Sequence, residues 1–483
     1  VIFLAASRPR RSSPNPPPLR RRGIAAALAA AIVAASAAAD ERDEEIERLR
    51  QLVASLEARV EALEKANAAN GPEEGPGQGA AATPPSRQPE PPSPQPSAAA
   101  AAPPAEPEPA AEDATASAPA GLELLEETRA LIQAQKAQEP PIAFGGALRF
   151  TTFVSEANDD AKRGDSGLDL FRVEADGKAG NFLLSAEYRF FPFMETIHHG
   201  WIGYEFPEAG QIQVGISQVP FGILPFASHN FWFGVPYYIG LADDYDMGAK
   251  YLRSFGDWDF QAAFYKNGEL GNAANLERYS FDLVRVGPEH ANEETNQLNL
   301  RLARSLGPSA DNTHELGVSA QVGQVHNAVT GENGSQWALA AHLDSRVRRW
   351  NFQLQLARYE YHPENPPGLS DETVRLGAFA TSYDIAAQGT LGVANVAYNL
   401  PVQLPLVDQI LLYNDFSILW KDPDGFDESI LNTTGAAIGM GPIFIYLDLI
   451  QAQNMVFFGE GSLAGDGETD WKRRLNLNIG YYW

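Results

Sequence analysis

From residue 141 to the C-terminus, apolar and polar side chains alternate with a period of two. In 473–483, Leu475, Leu477, Ile479, Tyr481 and Trp483 alternate with Arg474, Asn476, Asn478, Gly480 and Tyr482. Ile212, Val214 and Ile216 alternate with Gln211, Gln213 and Gly215, and Leu298, Leu300 and Leu302 with Gln297, Asn299 and Arg301. Trp258, Phe260, Ala262 and Phe264, then Trp350, Phe352, Leu354 and Leu356, repeat the pattern. Successive side chains of a strand point to opposite faces, so this alternation predicts strands with one apolar and one polar face. Each run is about 8–12 residues, the length that crosses a bilayer at a tilt.

The character of the faces selects the solvent. Apolar faces end in Trp201, Tyr204, Trp258, Trp337, Trp350 and Trp483, as at a lipid interface. Polar faces carry Arg, Glu, Gln and Asn, which suits a wet lumen better than a packed core. The expectation is an all-β, antiparallel transmembrane barrel over 141–483. Candidate strands fall at 143–154, 168–177, 182–190, 199–206, 211–217, 246–254, 258–265, 278–286 and 295–304. The remainder fall at 313–325, 335–345, 349–361, 371–382, 390–399, 408–419, 430–440, 442–450 and 471–483. That makes eighteen, with 278–286 weak and the gap at 346–349 short for an outer loop. Sixteen strands with one pair misread is equally allowed.

The period changes upstream. Over 40–70, Ile46, Leu49, Val53, Leu56, Val60 and Leu63 are spaced three and four apart, a heptad seam that predicts a coiled coil of dimeric or trimeric stoichiometry. Residues 71–120 are Pro, Ala, Glu, Gly and Ser, too poor in large apolar groups to fold. Extended at about 3.1 Å per residue, such a tether reaches on the order of 150 Å. A short helix is expected over 121–140. At the start, Arg20–Arg22 precede an uncharged Ala-rich run that ends in Ala37, Ala39 and Asp40. This reads as a signal peptide over 1–39 with a basic N-terminal extension. Export implies a bacterial envelope location, with the coiled coil in the periplasm.

Composition narrows the chemistry. The 483 residues include 36 Lys plus Arg against 62 Asp plus Glu, a net charge of -26, which argues against nucleic acid as a partner. The absence of cysteine excludes disulfides, thiolate metal sites and a Cys nucleophile. No nucleophile elbow, phosphate-binding glycine loop or HExxH spacing occurs, so no enzyme is expected. Asp422, Asp424 and Asp427 around Gly425 resemble a short Ca²⁺ loop without the distant bidentate Glu; a solvated acidic loop is the plainer reading. Asp243, Asp244 and Asp246 form a second acidic group, read in the same way.

The segment 218–245 follows the fifth strand and is rich in aromatics: Phe221, Phe226, Phe231, Trp232, Phe233, Tyr237 and Tyr238. So much apolar surface cannot wave in water, so the loop is expected to fold into the lumen and narrow it. Gln213-Val214-Gly215 through Val219-Pro220-Phe221-Gly222, Ala227-Ser228-His229-Asn230, Tyr237 through Tyr251 and the terminal Asn478–Trp483 together resemble the phosphate-selective porin O and P family, or closely related bacterial outer-membrane porins. The resemblance covers 141–483. It implies a 16-stranded homotrimeric barrel in outer-membrane lipid with a third outer loop folded inward, and leaves the solute open; the alternating strands, export signal and Trp483 point to passive diffusion, and the mixed charges to small hydrophilic solutes. Tyr481 and Trp483 would then serve as the aromatic signal read by the barrel-insertion machinery.

The chain departs from a phosphate filter. Its loop has no Lys or Arg between Gln218 and Asp246, and 141–483 holds 22 basic against 42 acidic residues, a net of -20. His229, Asp243, Asp244 and Asp246 are the candidates at the constriction. Arg149, Arg172, Glu174, Glu187, Arg189, Glu205, Lys250, Arg301 and Arg375 are those for the lining. Two readings of these charges stand: a transverse field at the constriction, or wall groups paired with neighbours. A structural protein that anchors the envelope through its coiled coil and tether is the alternative function.

Overall fold

The computed structural model describes residues 142–157, 164–309, 312–465, 467 and 469–483. The signal peptide, coiled coil, linker and short helix expected upstream lie outside the described residues. The chain begins with β1 (Ile142–Ser155), β2 (Gly164–Ala179), β3 (Phe182–Phe190), β4 (Glu195–Phe206) and β5 (Gly210–Gln218). A long connection holding the one-turn helix α1 (Val235–Tyr238) leads to β6 (Tyr245–Phe255) and β7 (Trp258–Gly268). Then come the two-residue β8 (Asp282–Leu283), β9 (Asn292–Ser309), β10 (Asn312–Asn327), β11 (Asn333–Val347) and β12 (Trp350–His362). The short β13 (Thr373–Ala378) and β14 (Thr381–Ala386) precede β15 (Gln388–Leu400) and β16 (Gln409–Lys421). β17 (Ser429–Met440), β18 (Ile443–Gln453) and β19 (Lys472–Tyr482) complete the chain.

Sixteen of these strands form one closed antiparallel barrel. Closure is made by β1 and β19, in register from Ala147 opposite Tyr482 to Ser155 opposite Arg474. Closing the sheet leaves no row of unpaired N–H and C=O groups, each of which would cost several kcal/mol in lipid. Strands at one end are joined mostly by tight turns, the 401–408 connection being the longer exception. Gly180 (φ 62°) and Gly256 (φ 57°) supply the left-handed backbone that two-residue connections need. At the other end lie the long connections 219–244, 269–291, 363–387 and 454–471.

The alternation read from the sequence maps onto the two faces of the wall. Leu298, Leu300, Leu354, Leu356, Leu475 and Ile479 point outward and are exposed. Gln297, Asn299, Gln353, Gln355, Asn476 and Asn478 point inward and are buried. An apolar exterior around a polar interior is the inverse of a soluble barrel and the arrangement of a membrane-spanning one. Phe182, Tyr204, Phe206, Trp258, Trp350, Tyr398, Tyr481 and Trp483 cluster near the tight-turn end. There, Trp350 lies 4.7 Å from Tyr398 and Phe182 5.0 Å from Tyr204, ring centre to ring centre. Among the described residues no helix is long and apolar enough to cross a membrane.

Two candidate strands are corrected. The segments 278–286 and 371–382 do not enter the wall. They supply β8, β13 and part of β14, which form a separate three-stranded sheet with Leu376 opposite Leu283. Removing this pair leaves sixteen and places the short gap at 346–349 at the tight-turn end. Val374, Leu376, Ala378, Phe281 and Leu283 are all buried, so these strands are covered rather than one-sided. The small sheet is tied to its neighbours by backbone bonds, from Phe379 N–H to Arg278 O (2.9 Å) and from Ala386 N–H to Leu463 O (2.9 Å).

Candidate functional site: the barrel interior

The connection 219–244 turns into the barrel. Its neck is closed by the Val219 N–H bond to Asp244 O (2.8 Å). Beyond it, the backbone meets inward side chains of successive strands. Gly222 N–H donates to Ser319 Oγ of β10 (3.0 Å) and Ile223 N–H to Gln355 Oε1 of β12 (2.9 Å). Arg301 Nε of β9 donates to Gly222 O (2.8 Å), and Asn395 Nδ2 of β15 to Ala227 O (3.0 Å). Val235 N–H then reaches Ser417 Oγ of β16 (2.9 Å) and Phe231 N–H reaches Asp448 Oδ2 of β18 (3.3 Å). Gly222 is required here: its φ is 64°, and a Cβ would lie 2.3 Å from Gln355 Oε1.

Of the rings that motivated an inward loop, all are buried except Phe226, which is half-buried against the same cluster. Phe233 stacks on Tyr237 with centres 4.0 Å apart, and Tyr237 meets Phe281 edge-on at 5.3 Å. Trp232 packs on Phe458 at 5.6 Å. One apolar cluster therefore joins the loop to the wall and to the connections 269–291, 363–387 and 454–471. Tyr383 Oη donates to Tyr238 O (2.7 Å), which fixes the short helix to the outer sheet.

Asp415 anchors the far side of the loop. Its Oδ2 accepts from His229 N–H (2.6 Å), Asn230 N–H (3.0 Å) and Asn230 Nδ2 (2.7 Å), while Oδ1 faces His229 Nδ1 at 2.7 Å. His229 Nε2 faces Asn351 Oδ1 at 2.7 Å. Burial alone pulls the His229 imidazole down, but the Asp415 carboxylate outweighs it and the net value is raised. With an acceptor at each ring nitrogen, the doubly protonated ring is favoured.

Asp243, Asp244 and Asp246 are not solvated, as a surface acidic loop would be, but buried. Asp243 accepts from Tyr279 Oη (2.5 Å) and Tyr245 Oη (3.3 Å). Burial pushes its carboxyl up to about 6, although the Tyr279 bond and the nearby Arg189 charge act the other way. Asp244 and Asp246 turn instead toward Asp282, with potential ligand oxygens of all three within 4.8 Å of one another.

Apart from Lys250, the candidate wall charges are paired. Arg149 reaches Asp169 (3.0 Å) and lies over the Phe231 ring. Arg172 bonds Glu174 and sits 3.4 Å from Glu187, and Arg189 bonds Glu187 and covers the Tyr279 ring. Lys250 Nζ donates to Gln218 O (2.8 Å). Arg301 pairs with Asp259 (3.0 Å) and with Glu315. Glu205 pairs with Lys178 (2.6 Å) and is exposed. Arg375 is a correction: it lies on β13, outside the wall, and is held by both oxygens of Asp384 (2.7 Å each). Asp422, Asp424 and Asp427 lie between β16 and β17, and Asp422 pairs with Arg358 (2.5 Å).

Several inward groups escaped the sequence reading: Asp415, Asp448 and Arg474 on the wall, and Glu269, Arg278 and Asp282 in a connection. The first three occupy polar positions of alternating runs, so the signal existed; Arg278 and Asp282 sit in the segment 278–286 mistaken for wall, and Glu269 in the gap before it. A second group of potential ligands, Glu187, His198 and His199, has arginines at both oxygens of Glu187.

No family model matches the chain, and no curated protein does. Among solved structures it is similar to OprB of Pseudomonas putida, at 10% identity and a TM-score of 0.47, over 74% of this chain and 97% of that one. It is also similar to the outer-membrane channel DcaP of Acinetobacter baumannii, at 10% identity and a TM-score of 0.46, over 71% and 97%. A third is the anion-selective porin from Comamonas acidovorans, at 12% identity and a TM-score of 0.46, over 71% and 99%. Likeness at this level carries no conclusion about activity, which rests on the chain's own wall and interior.

Proposed function

We propose that the chain is a porin-type channel of the bacterial outer membrane, open to small hydrophilic solutes by passive diffusion. The observation that supports it best is the closed wall, apolar outside and polar inside, with a segment of the chain laid along its inner surface. In this reading the connection 219–244 sets the width of the passage, with His229 and Asp243 among the groups that hold it there. The tight-turn end faces the periplasm, where the coiled coil of 40–70 would lie. Mixed, paired charges along Arg149, Arg172, Glu187, Arg189 and Arg301 give the lumen polarity without a row of one sign, so ion preference is weak. The homotrimer, and the use of Tyr481 and Trp483 by the insertion machinery, follow from the resemblance of the strand and loop motifs to porins. Planar-bilayer recording tests the reading: purified protein should insert with stepwise conductance, and bilayers that stay sealed at high protein concentration reject it.

A further inference from the structure

The buried carboxylates of Asp244, Asp246 and Asp282 offer oxygens within 4.8 Å of one another. Asp244 and Asp246 flank the return of the inward loop into β6, and Asp282 belongs to β8 of the outer sheet. Asp282 also meets the carboxyl of Glu294, near the start of β9. Arg278 is the basic group that touches this cluster, and it is shared: its Nη2 lies 2.9 Å from Glu269 and 3.2 Å from Asp282. Glu269 in turn accepts the N–H groups of Tyr279 and Ser280 (3.0 Å each). Arg278 and Glu269 thus balance each other and leave the other four carboxylates in excess.

Two further observations point to an occupant. Among the described residues, Asp244 Oδ1 and Asp246 Oδ1 find no hydrogen-bond donor, although Asp244 is 7% and Asp246 1% exposed. The same holds for Glu294 Oε1. The wall beside them is a bare glycine: a Cβ on Gly268 would stand 2.4 Å from Asp282 Oδ2 and 3.0 Å from Glu294 Oε1. Next to them lies a polar cavity of about 380 Å³, lined by Gly268, Arg278, Glu294 and Asn267.

Unit charges of like sign 4 Å apart repel by about 4 kcal/mol at an effective dielectric constant of 20, so several buried carboxylates call either for protons or for a positive partner. Oxygens that all lie within 4.8 Å of one another can share one hard divalent cation, and Ca²⁺ accepts the irregular, carboxylate-rich shell that Mg²⁺ does not. We propose that Asp244, Asp246 and Asp282, with Glu294, bind a hard divalent cation of the Ca²⁺ class that staples the base of the inward loop to the outer sheet. This site is distinct from the exposed Asp422, Asp424 and Asp427.

The test uses the purified full chain, folded in detergent and stripped by a chelator. Calorimetric titration with CaCl₂ should give one tight site per chain, and MgCl₂ should bind at least about tenfold more weakly, since Mg²⁺ demands a smaller and more regular shell. Asp282→Asn and Asp246→Asn should each weaken Ca²⁺ at least tenfold, and Asp424→Asn should leave it unchanged. Heat-dependent gel mobility shows that each variant keeps the barrel. The proposal is overturned if the stripped wild-type chain takes up no Ca²⁺ at about 10 mM, above the weakest range of carboxylate Ca²⁺ modules. It is equally overturned if Asp424→Asn, and not Asp282→Asn, removes the site. Binding is read without conductance, so neither outcome depends on the channel reading.

Discussion

Replacement of Asp415 by Asn tests how the inward loop is held. The carboxylate of Asp415 is buried and receives two backbone N–H groups, Asn230 Nδ2 and the His229 ring. Hydrogen bonds to a charged group are worth about 1.5–3 kcal/mol each, and they do not add fully. Breaking a buried charge pair by removing one member costs about 3–5 kcal/mol. Asn keeps the volume but turns an amide N–H₂ toward donors, so Asp415→Asn should weaken the tether by about 3–5 kcal/mol. At 1.4 kcal/mol per decade that is roughly a hundredfold to a few thousandfold rise in the detached population. Hydrogen exchange at 228–235 should speed up by that factor, while the wall strands keep their protection. Single-channel records should gain excess noise. Wild-type exchange rates at 228–235 in the variant would refute the assignment of Asp415 as the anchor.

The same anchor should depend on pH. The His229 value is raised in the folded chain, so its contribution is fully present below the ordinary value of 6.5 and fades as pH rises through the raised one. Exchange at 228–235 should therefore accelerate on the alkaline side of pH 6.5, and His229→Gln should flatten the profile. Gly222→Ala forces a Cβ against Gln355 at a positive φ and should lower barrel stability in urea by about 1–3 kcal/mol. Trp232→Ala empties a fully packed position and should cost about 3–5 kcal/mol by thermal unfolding. Arg375→Gln, outside the wall, should leave reversal potentials in a salt gradient unchanged, whereas Arg189→Gln, which removes a positive charge from the wall and leaves Glu187 to Arg172 alone, should move them toward cations.

Much of this molecule is written locally. Alternation along 473–483 or 295–304 reports which side chains face outward and which face the barrel interior, because neighbouring residues of a strand point opposite ways. Seven rings between Phe221 and Tyr238 likewise announce a segment that cannot stay in water, and the structure buries it within the barrel. Pairing is not local. The segment 278–286 is a weak wall candidate, but nothing in 371–382 distinguishes a wall strand from a strand of a covered outer sheet, since both need extended, partly apolar sequence. Only the partners decide: β13 finds β8 and β14 rather than β12 and β15, which carries Arg375 out of the wall. Charge behaves in the same way. Asp244 and Asp246 look like a solvated pair in the sequence. The fold sets Asp282, thirty-six residues past Asp246, beside them and takes the water away, and that removal of solvent turns three ordinary aspartates into a demanding electrostatic site.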